Sequence, residues 1–286
     1  MLIANPIYDV VFKYMMSNID VAKGLISTII DEDIVQLDFK AQESVYKSPE
    51  TLTVYHLDFI AKIRMKEGGY KTILIELQKS NIIYDIMRFR NYVGERYKKV
   101  DEVSAADGSV SKEPLPIVTI YFLGFLISKT LPAVIKVDRR YVDVLAGKEI
   151  EERNDFIERL THDSFVIQVP ALHMQLKNRL ELVLSVFQQE KFIDDKHRIK
   201  SYEYDLTDDL QKKILKQLEK AAADKQLLRQ LELEEMAARE YENAFGEIKR
   251  TLQKKDKTID QQSKELKNKE KEIEALKKQL QEIQTP

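Results

Sequence analysis

Short apolar runs alternate with amphipathic segments over the first two thirds of the chain. Strand patterns are predicted over residues 35–41, 55–60, 73–79 and 117–125, and helical patterns over 6–16, 21–30 and 81–100. Residues 101–116 are polar and are predicted to form a loop. The order is helix, helix, three strands, helix and strand, which indicates an α/β sandwich whose last strand returns beside the first three by a crossover.

The first predicted helix has good start signals. Asn5 suits an N-cap and Pro6 suits the first helical position. A helix from there to about Met16 would place Asp9, Phe12 and Lys13 on one side.

Residues 133–200 continue the same alternation with less distinctive patterns. Segments 133–137 and 165–169 are predicted strands, and residues 176–192 form an amphipathic helical pattern. We assign them to one domain spanning residues 1–200, with a helical extension over residues 201–286.

The extension carries a heptad pattern. Apolar residues recur every seven positions, at Leu231, Ala238, Phe245, Leu252, Ile259, Leu266, Ile273 and Leu280. The positions three residues later are apolar at Ile248, Leu276 and Ile283 but polar at Lys255, Gln262 and Lys269. This pattern predicts a long coiled-coil helix that pairs, with a homodimer through residues 231–283 favoured. The alternative is a single helix stabilised by charge pairs four residues apart.

Two of the predicted strands are interrupted by acids. Asp58 lies within the run from Tyr55 to Ile60, and Glu76 lies within the run from Ile73 to Lys79. A carboxylate is expensive in a buried strand unless it is paired or binds a metal. A tight turn at Lys66–Gly69 would join the strands, with glycine supplying the positive φ that the reversal needs.

This hairpin predicts a two-carboxylate metal site. It is expected to place Asp58 across from Gln78, with Glu76 one diagonal step away. Both acids then lie within reach of one ion, because cross-strand and diagonal neighbours are roughly 4.5 to 8 Å apart. A register slip of one residue would send Asp58 to the opposite face of the sheet.

Four motifs occur in the order typical of one nuclease superfamily. They are Asn5–Lys13 with its Asp-x-x-Phe-Lys pattern, Leu57-Asp58-Phe59, Ile75-Glu76-Leu77-Gln78 and Arg88-Phe89-Arg90-Asn91-Tyr92. The first 125 residues thus resemble the PD-(D/E)XK superfamily, and within it the branch of nuclease-family transposases or recombination-promoting nucleases. The resemblance implies a restriction-endonuclease-like mixed sheet flanked by helices. The chain departs from the superfamily at Gln78, which occupies the usual lysine position.

The resemblance also implies a chemistry. Mg²⁺, or Mn²⁺ as a substitute, would be held by Asp58 and Glu76 and would activate water for phosphodiester hydrolysis. Gln78 would hydrogen-bond the attacking water but cannot act as a charged base. Asp9 is either a third metal ligand or water-positioning residue, or an acid that is stabilised by the dipole at a helix start. Lys13, Arg88 and Arg90 are candidate DNA contacts, although the arginines also fit an ordinary solvated face.

Composition restricts the remaining possibilities. The net charge of −2 excludes a global basic field, so any DNA affinity must come from a local patch. The chain has no cysteine, which excludes disulfides and thiolate metal sites. The first residues lack the pattern of a signal peptide and no run is long enough to span a membrane, so we expect a cytoplasmic protein.

The sequence therefore predicts a metal-dependent DNA endonuclease acting in recombination, mobile-element activity or defence. The main alternative is a catalytically inactive nuclease-fold scaffold that oligomerises through its coiled coil. A third hypothesis is a transposase that also joins DNA strands. A hydrolytic site of this type does not require strand joining.

Overall fold

The computed structural model describes residues 1–40, 55–64, 70–80, 86–104, 109–173, 178–203 and 208–236, and seven single positions between 255 and 273. The chain divides into two compact units, residues 1–234 and 235–286. This division falls after the predicted domain boundary at residue 200. The reason is that the helical segment that follows residue 208 packs into the core of the first unit.

The first unit is a mixture of strands and helices, whose bounds are as follows. The strands are β1 (Leu2–Ala4), β2 (Asp33–Lys40), β3 (Tyr55–Arg64), β4 (Tyr70–Ser80), β5 (Asp101–Ser104), β6 (Val110–Glu113), β7 (Ile117–Leu123), β8 (Val134–Val137), β9 (Tyr141–Asp143), β10 (Lys148–Ile150), β11 (Asp163–Gln168) and β12 (Ile199–Ser201). The helices are α1 (Asp9–Met16), α2 (Ile19–Ile30), α3 (Ile86–Tyr97), α4 (Asp155–Leu160), α5 (Arg179–Leu184) and α6 (Asp209–Ala223), followed by α7 over residues 225–236.

The central sheet has six strands in the order β2-β3-β4-β7-β11-β8. Strands β2, β3 and β4 form an antiparallel meander, and β7 pairs in parallel with β4. Strand β11 then pairs in parallel with β7 and antiparallel with β8. The expected crossover and a mixed sheet are therefore present in the described part of the chain.

The two faces of this sheet have different environments. Ile120 and Phe122 of β7 and Phe59 of β3 belong to the main core, which also contains the buried residues of α1, α2, α5 and α6. We call this the core face. The other face carries a small second cluster in which Leu115 and Ile117 pack with Ile60. We call it the α3 face, because α3 packs on it, as described below.

The first helix is shorter than predicted. It begins at Asp9 rather than near Pro6, and Tyr8 occupies the N-cap position without a side-chain cap. Asn5 instead is buried, and its side chain accepts a hydrogen bond from the backbone N–H of Ile7. A local Asx turn therefore competes successfully with a helix start at this position.

Two further segments differ from the sequence prediction. The expected polar loop at 101–116 contains the antiparallel hairpin of β5 and β6, whose four-residue strands have no clear apolar alternation. The expected helix over 176–192 is reduced to α5 followed by a 3₁₀ turn at 185–187. The predicted hairpin turn at residues 66–69 lies outside the described residues.

The described tail positions are consistent with a helix. Residues 255, 259, 262, 263, 266, 269 and 273 all have helical backbone and are exposed. Leu231, the first residue of the heptad pattern, differs from them because it is fully buried in the core of the first unit. The heptad pattern therefore begins inside the first unit, where its apolar position serves core packing.

Candidate metal and nucleic-acid site

Strand register brings the two acidic positions of the hairpin together. Asp58 of β3 is the direct antiparallel partner of Glu76 of β4, and Gln78 is the partner of His56. The predicted pairing of Asp58 with Gln78 is therefore wrong by two residues. A shift of two keeps the same face, since side chains alternate with period two. In the observed register the two acids are direct cross-strand partners, whereas the predicted register placed them one diagonal step apart.

The acidic pair continues as a polar row across the sheet. The Cα partner of Glu76 in β7 is Thr119, and the Cα partner of Thr119 in β11 is Ser164. Thr119 is fully buried, and its hydroxyl donates a hydrogen bond of 2.8 Å to the hydroxyl of Ser164. Lys40 is the Cα partner of Asp58 at the β2 side of the row. Polar positions therefore span five neighbouring strands at one level.

Helix α3 covers the face to which this row belongs. The ring of Phe89 lies 5.0 Å from the ring of Tyr121, which is two residues from Thr119 and on the same side of β7. Phe89, Val93 and Arg96 are the buried stripe of the helix, at the spacing that turns one face toward a sheet. Arg90 follows Phe89 and is exposed. The side chain of Arg88 lies outside the described set.

The carboxyl end of α3 is tied to the beginning of β11. The hydroxyl of Tyr97 and Nδ1 of His162 are 2.7 Å apart. Burial raises the pKa of Tyr97 and lowers the pKa of His162, which the nearby guanidinium of Arg139 lowers further. Both groups therefore stay neutral near pH 7, and the hydrogen bond between them persists there.

Arg139 organises the adjacent charges. Its guanidinium donates to Asp163 at 2.7 Å and to Glu158 at 2.8 Å, and both acids are mostly shielded from solvent. This pairing holds the pKa of Asp163 below its ordinary value despite burial. Arg153 also pairs with Glu158 at 3.6 Å, so the two acids and Arg139 form a structural network with Arg153 rather than a site for a ligand.

Helix α1 lies on the other side of the sheet. Phe12 packs against Phe122 at 5.3 Å, and Phe122 projects from the core face. The residues predicted for the site on this helix are therefore carried in a different layer from Asp58 and Glu76. Asp9 is half-buried at the first turn, and Lys13 is exposed in the last turn.

The amino end of α1 is capped from a distant part of the chain. The carboxylate of Glu234 accepts hydrogen bonds from the backbone N–H groups of Asp9 at 2.7 Å and Val10 at 3.1 Å. A negative charge at a helix start interacts favourably with the helix dipole. This contact has no local sequence signal, because the partners are separated by 225 residues.

The residues that remain candidates for a metal ion are Asp58 and Glu76. Among the side chains that the structure describes, no group of three or more histidine and acidic residues is placed to hold a metal ion. The side chains of Asp58 and Glu76 are outside the described set. The evidence for this site is therefore the register of their backbones. Carboxylate oxygens in such a pair are the donors that Mg²⁺ and Mn²⁺ prefer.

Comparison with known proteins adds no relative: no family profile matches the chain, and neither a curated protein nor a solved structure is found to be similar. None of the helices in the described part of the chain is both long and apolar enough to cross a membrane.

Proposed function

We propose that the protein is a metal-dependent endonuclease that hydrolyses phosphodiester bonds of DNA. The observation that carries the proposal is the direct cross-strand pairing of Asp58 with Glu76 on two interior strands of the six-stranded sheet. Like charges directly opposite each other destabilise a sheet. An unfavourable pair at a central position is explained when a divalent cation is bound by both carboxylates.

The surroundings of the pair support the same chemistry. Gln78 lies two residues beyond Glu76 on β4, so its position belongs to the same face. It would hydrogen-bond the attacking water without removing its proton, and Mg²⁺ would supply the Lewis acidity that activates this water. The four motifs that resemble those of PD-(D/E)XK nucleases also contain both acids and Gln78.

The structure favours some candidate residues over others. The exposed Arg90 on α3 stands in the helix that covers the acidic face, which suits a phosphate contact. Asp9 and Lys13 belong to a helix that packs against the core face, so we give them no part in the proposed hydrolytic step. The minimal site consists of Asp58 and Glu76 as metal ligands and Gln78 as the residue that orients the attacking water.

The test is cleavage of supercoiled plasmid by the full chain with Mg²⁺ or Mn²⁺. Asp58→Asn and Glu76→Gln preserve the shape of each side chain but remove its charge, and each should lower cleavage at least about 100-fold. The matched control is Asp33→Asn, because Asp33 is an exposed acid of the same sheet that pairs with Arg64. Full activity in the Asp58 and Glu76 variants, or equal loss in the control, contradicts the proposal.

The second candidate function is a scaffold that assembles through its tail. The observation that favours it is that the exposed residues Ile259, Leu266 and Ile273 follow one another at the seven-residue spacing of a coiled-coil seam. A folded, self-associating protein that cleaves no nucleic acid with any divalent metal would support the scaffold over the nuclease.

A further inference from the structure

The described positions of the carboxy-terminal tail include a regular line of exposed apolar side chains. Ile259, Leu266 and Ile273 are helical and are 60 %, 61 % and 53 % exposed. They are separated by seven residues, so they lie on one side of the helix with the slow drift that a left-handed supercoil compensates. We call these three positions, together with Lys255, Gln262 and Lys269, the seam.

The seam is mixed in polarity. Its polar positions, Lys255, Gln262 and Lys269, are also helical and exposed. In heptad terms the apolar residues occupy position a and the polar residues occupy position d. Lysine occupies every second d position of this seam. The stability of a pair therefore depends on whether the two helices run parallel or antiparallel.

A parallel in-register pair would be the poor case. Every residue at d then faces its own copy across the axis, so Lys255 would face Lys255 and Lys269 would face Lys269. Two ammonium groups would be confined at each of these layers, where burial penalises the charge and repulsion adds to it.

An antiparallel pair removes these conflicts. Its layers combine an a residue with a d residue of the other copy, so each lysine meets an aliphatic side chain and can extend its ammonium group to water. With the axis at residue 264, Lys255 meets Ile273, Gln262 meets Leu266 and Lys269 meets Ile259. In the same register the sequence aligns Leu252 with Leu276, Ile248 with Leu280 and Phe245 with Ile283.

The charge distribution favours the same arrangement. Residues 249–258 contain five basic residues and one acid, a net charge of +4. A parallel pair sets this segment against itself. The antiparallel register sets it against residues 270–279, which contain three basic residues and three acids and are therefore neutral. From the mixed seam and this charge pattern, we infer that the C-terminal helices of two copies of the chain pair antiparallel, centred near residue 264.

The absence of cysteine in the chain allows a clean cross-linking test. A disulfide requires Cα atoms about 4.4–6.8 Å apart. The double variant Lys255→Cys/Ile273→Cys, made in the full chain, should therefore be converted almost completely to a covalent dimer by mild oxidation. The single variant Lys255→Cys should stay uncross-linked, because its two thiols would lie about 27 Å apart along the coil.

The matched control is Lys257→Cys/Lys271→Cys, which places thiols at the same height but at the outward f positions. It should not cross-link, and light scattering of all variants under reducing conditions should give twice 33.4 kDa. Cross-linking of the single Lys255→Cys variant would establish a parallel pair and overturn the inference. A mass of one chain, or a dimer in which neither seam variant cross-links, would overturn it as well. The test does not depend on nuclease activity.

Discussion

Asp58 lies directly opposite Glu76 in the antiparallel ladder between β3 and β4. Cβ atoms of such pairs are about 4.5–5.5 Å apart, so two carboxylates at these positions repel unless a cation lies between them. This relationship predicts a metal dependence of stability that can be measured without any substrate.

Mg²⁺ should raise the melting temperature of the wild-type chain, and Asp58→Asn or Glu76→Gln should abolish that rise. A ligand at 100 times its dissociation constant stabilises by about 2.7 kcal/mol. In EDTA each variant should be more stable than the wild type by up to about 1 kcal/mol, because one repulsive charge is gone. Equal metal-induced shifts in calorimetry of the wild type and both variants would argue against ligation by this pair.

The hydroxyl pair beside the acids should contribute measurable stability. In Thr119→Val the shape is kept, but the half-buried Ser164 hydroxyl loses the hydrogen bond that it accepts from the buried Thr119. We expect a loss of about 1–2 kcal/mol in urea denaturation. The double variant Thr119→Val/Ser164→Ala should lose less than the sum of the single losses, because both partners are then removed. Strictly additive losses would show that the hydrogen bond contributes nothing.

The contact between Glu234 and the start of α1 predicts a local effect. Glu234→Ala removes the acceptor of the Asp9 and Val10 amides and should cost about 1 kcal/mol. Hydrogen exchange of these two amides should become faster. Glu232→Ala is the matched control, since Glu232 pairs with Arg198 and does not cap α1. Unchanged exchange at Asp9 and Val10 in the Glu234 variant would exclude the cap.

Lys200 predicts a specific pH dependence. Burial lowers its pKa from 10.5 to about 8, while its ammonium group donates to the carbonyl of Gln188. Below pH 8 the lysine is charged in both the folded and the unfolded state, and the folded state bears the full cost of burying that charge. Between pH 8 and 10.5 the unfolded state holds the proton and the folded state does not, so the free energy of unfolding rises with pH by up to about 1.4 kcal/mol per unit.

Lys200→Met should remove this contribution, so its unfolding free energy should rise less between pH 8 and 10 than that of the wild type. Lys212→Met, at an exposed lysine of α6 that pairs with Asp209, is the control and should keep the wild-type slope. Parallel curves for the wild type and Lys200→Met in denaturant titrations at several pH values would contradict the assignment.

The six strands of the central sheet were predictable because their apolar density is high, and the element order indicated the crossover. The common face of Asp58 and Glu76 followed from alternation, which is insensitive to a register shift of two. The register itself was not predictable, since it depends on the turn and bulge geometry of the strands. The β5–β6 hairpin was missed because strands as short and polar as Val110–Glu113 leave no periodic signal.

Long-range contacts account for the other differences. Neither the cap supplied by Glu234 nor the hydrogen bond from Thr119 to Ser164 has a local sequence signal. The heptad pattern was also ambiguous at its start, because a helix stripe buried in a core and a coiled-coil seam share nearly the same period. Leu231 belongs to a stripe buried in the core, whereas Ile259, Leu266 and Ile273 are exposed in the single chain.

This difference within one heptad series gives a matched pair of substitutions. Leu231→Ala should destabilise the first unit by about 2–5 kcal/mol, because it opens a cavity at a fully buried position. Leu266→Ala should leave the first unit unchanged and weaken self-association instead, because Leu266 is exposed in the single chain.

Tyrosine fluorescence separates the two effects. Only Tyr241 of the 13 tyrosines lies beyond residue 234, and the chain has no tryptophan, so the signal reports the first unit. The urea midpoint of this signal should fall in Leu231→Ala and stay constant in Leu266→Ala. Light scattering across a dilution series should show dissociation at higher protein concentration in Leu266→Ala than in the wild type. Equal midpoints in both variants would mean that Leu231 does not belong to the core, and equal association would mean that Leu266 does not lie in an interface.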